Sequence, residues 1–186
     1  METLNIEKEK AINAYQQGSE EQKKVLEQLF GKETFRPKMV TDRIKTFNDA
    51  LKELGPNHIL VKEYNVVKNN KTTYSTKLYS QLCVITAALN EGWRPKFVEG
   101  EKRYFPYFRL YSAEEIRQMS KEEKSRVVYR SYNHAAAFGG VSCANASNDS
   151  AYVYAHIASR LAFKTNELAK YAGKQFGKLY ANYLDI

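Results

Sequence analysis

A chain of 186 residues, 43% hydrophobic, is the size of one domain and apolar enough to bury a core. Its two cysteines, Cys83 and Cys143, are too few for a disulfide scaffold; the opening METLNIEKEK lacks an apolar signal core and no apolar run approaches the ~20 residues that span a bilayer, so a cytoplasmic protein without membrane contact is expected. The net charge of +8 is uneven, residues 94–186 carrying 15 Lys and Arg against 9 Asp and Glu, which hints at an anionic partner.

In chain order the first half reads as helical. Ser19 and Gln22 match a capping box, in which each side chain satisfies an orphan donor of the first turn. Val25, Leu26, Leu29 and Phe30 follow as an apolar stripe, and Gly31 supplies a left-handed stop. Thr46 reads as another N-cap, with Phe47, Ala50, Leu51 and Leu54 on one face and Gly55-Pro56 as the stop. Residues 57–67 read as weakly helical or irregular, and 68–71 as a polar turn. The strongest helix spans about Ser75 to Asn90, on Leu78, Leu82, Ile85 and Leu89, with Gly92 closing it. Cys83 lies beside that stripe and is expected to be a buried, inert thiol.

Beyond Trp93-Arg94-Pro95 the texture changes. Residues 103–111 are dense in aromatic, β-prone side chains, and Pro106 among them argues for an edge strand or a bulge. Ser112/Glu115 and Ser120/Glu123 are further capping boxes for short helices. Residues 135–150, rich in Ala, Gly, Ser and Asn, read as a loop or a small-residue strand. From Ala151 to Lys164 an alternation of small apolar with aromatic or polar residues reads as a strand. Thr165 caps a last helix with Leu168, Ala172, Phe176, Leu179 and Tyr183 as its buried stripe, Gly173 and Gly177 allowing close packing. The expected fold is α+β: N-terminal helices, then a small, mostly antiparallel sheet with the C-terminal helix packed on it. One domain over 1–186 is expected, with 1–42 a helical extension and 43–186 the core.

The leading candidate site is one face of the 151–164 strand. Tyr152, Tyr154, His156 and Arg160 share that face, with Arg109 as a phosphate partner; tyrosine rings stack on bases while arginine holds phosphate. The competing reading buries that face beneath a helix. Lys170, Lys174 and Lys178 align at four-residue spacing with Lys164 nearby, either as a nucleic-acid contact or as an ordinary solvated helix face. The Gly- and Ser-rich segment 138–150 could wrap a ligand, but it matches neither GxGxxG nor a P-loop, and a surface turn explains it equally well. Cys143, Asn145 and His156 are near in sequence, which does not establish a nucleophile–base pair. His58, His134 and His156 lack metal-ligand spacing, so no metal, no cofactor and no enzymatic activity are expected.

Three stretches together resemble a known group: Ala87 to Pro95 (AALNEGWRP), Tyr104 to Phe108 (YFPYF) and Ser159 to Phe176 (SRLAFKTNELAKYAGKQF). They are similar to a group of small uncharacterised proteins of phages, prophages and mobile elements of gut Bacteroidota, over roughly Arg43 to Leu184. The resemblance carries over no activity and no site residue. It implies a context, an accessory or structural gene of a bacterial virus. Within that context the expected function is a non-enzymatic protein binding an anionic ligand, foremost a nucleotide, including sequestration of a host immune signal. The alternatives are a nucleic-acid-binding accessory protein and a virion structural or assembly protein. A homo-oligomer is the default expectation.

Overall fold

The computed structural model describes residues 6–96, 98–128, 140–149 and 159–184, with 140–149 and Ser159 described through their backbone. The chain divides into two compact units, Met1–Arg43 and Ile44–Ile186.

In the first unit, α1 (Lys8–Gln17) and α2 (Glu20–Phe30) are separated by Gly18 and Ser19, and α3 (Val40–Arg43) follows. The Ser19/Gln22 capping box is formed, with both reciprocal bonds present. Gly31 ends α2 at φ 77°, in the left-handed region that favours glycine. The Tyr15 ring stacks on Phe35 at 4.4 Å, and its hydroxyl donates to Glu27 at 2.6 Å.

The second unit is organised by one helix. After α4 (Phe47–Leu54) and α5 (Ile59–Asn69) comes α6 (Tyr74–Leu89), against which both pack. Leu82, Cys83, Val84, Ile85 and Thr86 are buried in succession, so α6 is covered on every side along this stretch. A helix apolar all round has to be central. Thr46 caps α4 through a box completed by Asp49. The stretch read as weakly helical or irregular over 57–67 holds a regular helix, α5, which continues through Lys68 and Asn69 of the expected polar turn. Its cap is His58, whose Nδ1 accepts from the Leu60 N–H at 3.3 Å, and histidine lies outside the Ser, Thr, Asp and Asn set that marks most helix starts.

Strand β1 (Arg103–Tyr111) pairs antiparallel with β2 (Gly140–Asp149), Arg103 opposite Asp149 and Tyr111 opposite Gly140. The register shifts between Tyr107 and Phe108, beside Pro106. Between the strands, α7 (Ala113–Gln118) and α8 (Lys121–Ser125) each begin with a formed capping box. Helices dominate the described residues, and β structure among them is confined to this ladder and isolated bridges.

The strand expected over 151–164 differs in its described part. Residues 151–158 lie outside the described residues; Ser159–Leu161 is a 3-10 turn, and Phe163 makes a single bridge to Tyr104. Leu161, Ala162 and Phe163 are 8%, 1% and 0% exposed, and three buried residues in a row cannot belong to a half-buried alternating strand. The final helix is also two: α9 (Asn166–Gln175) and α10 (Gly177–Leu184), broken at Phe176 with φ −111° and ψ 23°. The break changes the buried set in α10 to Gly177, Tyr180 and Ala181. Gly177 sits so close to Val128 that a Cβ would lie 3.2 Å from its Cγ2. Helix α9 packs against β1 and β2, and α10 against α6. No helix among the described residues is long and apolar enough to cross a membrane.

The end of α6 is tied to residues 162–164 by one side chain. Asn90, 3% exposed, donates through Nδ2 to the Ala162 carbonyl at 2.8 Å and accepts at Oδ1 from the Lys164 N–H at 3.1 Å. Asn90→Ala strands two backbone groups, and an unsatisfied buried group costs about 1–3 kcal/mol. Urea unfolding is therefore expected to show a loss of roughly 2–4 kcal/mol; a loss below about 0.5 kcal/mol would mean the clamp is dispensable.

Candidate functional site

A cleft of about 490 Å³ opens in the second unit, between the amino end of α5, the carboxyl end of α6 and the turn that follows it. That volume lies in the range that holds small ligands, about 300–1,000 Å³. Leaving α6, the chain turns through Glu91 at φ 50° and Gly92 at φ 86°. Glu91 is a non-glycine residue in the left-handed region, a conformation that needs outside support. Its carboxylate is paired with Lys164 Nζ at 3.1 Å, and the Trp93 N–H returns to the Asn90 carbonyl at 3.0 Å. This turn brings Trp93 and Arg94 into the cleft wall.

Across from the turn stand His58 and Glu63 of α5. Arg160, on the 3-10 turn just before the residues that Asn90 holds, completes the wall, and its Nη1 donates to Glu63 Oε2 at 2.7 Å. Both partners are about half exposed, so the pair sets geometry more than stability. Glu63, bonding first and by its charge second, raises the guanidinium of Arg160 above its ordinary value. His58 is held below its ordinary value of 6.5, first by burial and then by the charge of Arg94. Its imidazole is thus neutral at pH 7, consistent with its Nδ1 accepting the capping bond. Thr86 also lines the cleft; it is 1% exposed and its Oγ1 has no hydrogen-bond partner.

These groups offer a defined chemistry. Two guanidinium groups can hold an oxyanion, and the amino end of α5 adds a partial positive charge. Trp93 presents an aromatic wall on which a planar ring can stack. Cys83 lies beneath this region: burial pushes its thiol up to about 11, although a bond from Tyr79 acts the other way. Tyr79 itself is raised to about 12, chiefly by burial. Among the described residues no three metal-ligating side chains gather.

Of the residues expected to form the leading site, the described ones, Arg109 and Arg160, lie on different elements. Of the strand-face set, Tyr152, Tyr154 and His156 lie outside the described residues, as does His134, while Arg160 sits on a 3-10 turn, not a strand. Arg109 belongs to β1, pairs with Glu115 at 3.5 Å, stacks over the Tyr111 ring at 4.8 Å and does not line the cleft. Lys164 supports the turn through Glu91 and is not part of an open basic face. Lys170 is half-buried on α9 and Lys174 exposed there, whereas Lys178 belongs to α10, so the break at Phe176 interrupts the four-residue spacing. Within 140–149 of the Gly- and Ser-rich segment, every residue except Ala144, which falls at the register shift, is a backbone partner of β1, Cys143 and Asn145 included.

His58, Glu63, Thr86, Trp93 and Arg94 do not stand out as a site in the sequence. Trp93-Arg94-Pro95 carries the available signal, a large aromatic and a cation directly after a helix stop. Comparison with family models, curated proteins and solved structures finds no match to this chain.

His58 makes stability depend on pH in a predictable direction. The unfolded chain takes up the proton more readily than the folded one, so stability falls as pH drops through about 6.5 and levels off once the folded imidazole is also charged. His58→Asn keeps a capping side chain without a titrating group. Urea midpoints at pH 5 and pH 7.5 are expected to differ less in the variant than in the parent; equal differences would contradict the assignment.

Proposed function

We propose that the protein is a non-enzymatic binding protein that holds an anionic ligand of the nucleotide class in the cleft between α5 and α6. The observation that carries this reading is the convergence of Arg94, Arg160 and the aromatic wall of Trp93 on one cavity of about 490 Å³. A phosphate needs charge-assisted donors and a base needs a flat apolar partner, and the cleft supplies both within the span of a small ligand. The raised thiol of Cys83 supports binding over nucleophilic chemistry.

The sequence resemblance supports an accessory role in a bacterial virus, in which capture of a host nucleotide signal needs a pocket and no catalytic group. An α+β classification goes with this reading, supported by α9 packing on the β1–β2 ladder. The lysines of α9 and α10 support the nucleic-acid alternative less well, because the helix break divides them.

The chain has one tryptophan beside 14 tyrosines, so emission excited beyond the tyrosine absorption band reports on Trp93 in the cleft. Titration with adenosine, guanosine, cytidine and uridine nucleotides is expected to give a saturable change in Trp93 emission for at least one base. Arg94→Ala is expected to weaken that affinity about tenfold or more, the scale of one lost charge-assisted bond. Flat emission with every nucleotide, or an unchanged affinity in Arg94→Ala, would overturn the proposal.

A further inference from the structure

Taken as the anion site proposed above, and only on that reading, the cleft also constrains the charge of its ligand. Its lining holds two guanidinium groups, Arg94 and Arg160, and one carboxylate, Glu63. Arg160 is already engaged, donating to Glu63 at 2.7 Å. His58 adds no charge at neutral pH, since burial and Arg94 both disfavour its protonation. The lining therefore carries one net positive charge, supplemented by the fractional charge at the amino end of α5.

A phosphomonoester carries close to two negative charges at neutral pH and a phosphodiester carries one. The second charge of a monoester would meet the Glu63 carboxylate without a further cation to offset it. A diester leaves the Glu63–Arg160 pair intact and places its single charge against Arg94. Glu63 then retains lone pairs to accept from hydroxyl or amino groups of the ligand, since a carboxylate has about four acceptor positions.

We propose that the cleft selects a nucleoside phosphodiester, with one negative charge on phosphorus, over the corresponding monoester, and that Glu63 is the residue that sets this preference. Glu63 acts by charge: it neutralises Arg160 and repels the second anionic oxygen.

The test compares three probes of one base and sugar by calorimetry and Trp93 fluorescence at pH 7.5: 3′,5′-cyclic AMP, 5′-AMP, and the methyl ester of 5′-AMP. Should adenosine fail to bind, the same trio is made on the base that does. The cyclic compound and the methyl ester, each monoanionic, are expected to bind about tenfold tighter than the dianionic monoester. Glu63→Gln is expected to raise the affinity for the monoester and to narrow or reverse that ratio. A monoester that binds as tightly as the methyl ester overturns the inference while leaving the anion site standing. Failure of all probes on every base overturns both. Because the methyl-ester comparison uses the unaltered protein, it decides the preference for a monoanion even where Glu63→Gln does not fold; a Glu63→Gln protein that folds and keeps the full ratio overturns the role given to Glu63.

Discussion

Asn90 is the side chain on which the cleft depends. It sits where α6 ends, almost wholly buried, and holds the backbone at Ala162 and Lys164 from a distance of more than seventy residues in sequence. Each of its two bonds satisfies a backbone group that would otherwise be left without a partner, so the amide is a structural requirement as well as a tether. With it in place, the 3-10 turn carrying Arg160 is fixed beside α6, and Lys164 reaches Glu91 to support the left-handed turn that delivers Trp93 and Arg94.

Around that anchor the second unit follows ordinary rules. Helix α6 is buried along its carboxyl half, and α4, α5 and α10 cover it. The tertiary cost of placing a polar Thr86 in that buried stretch is an orphan hydroxyl in the cleft lining. In the same stretch, burial raises the Cys83 thiol to about 11. Charge, ring and cavity meet in this one cleft of the second unit.

Local signals in the sequence were legible where a single residue type decides the outcome. Ser19, Thr46, Ser112, Ser120 and Thr165 all cap helices, because a short hydroxyl side chain satisfies the first-turn donors wherever it occurs. Gly31 and Gly55 end helices at positive φ for an equally local reason. What escaped depends on tertiary context. His58 caps α5 because its ring is held in the cleft wall; the run Leu161-Ala162-Phe163 leaves strand alternation because all three side chains are buried; and Phe176 breaks the last helix where Gly177 meets Val128. Arg160 was legible as a candidate residue, but its partners were not. They arrive from α5 and from the turn after α6, about seventy to a hundred positions earlier in the chain, and no spacing rule connects them.

If this cleft, and not a lysine-bearing helix surface, receives the ligand, a crystal structure of the protein with its tightest-binding nucleotide will show where the contacts fall. A base is expected against the Trp93 ring, with a phosphate within hydrogen-bond distance of the Arg94 guanidinium. A nucleotide bound along Lys174 and Lys178, with the cleft between α5 and α6 empty, would refute the assignment.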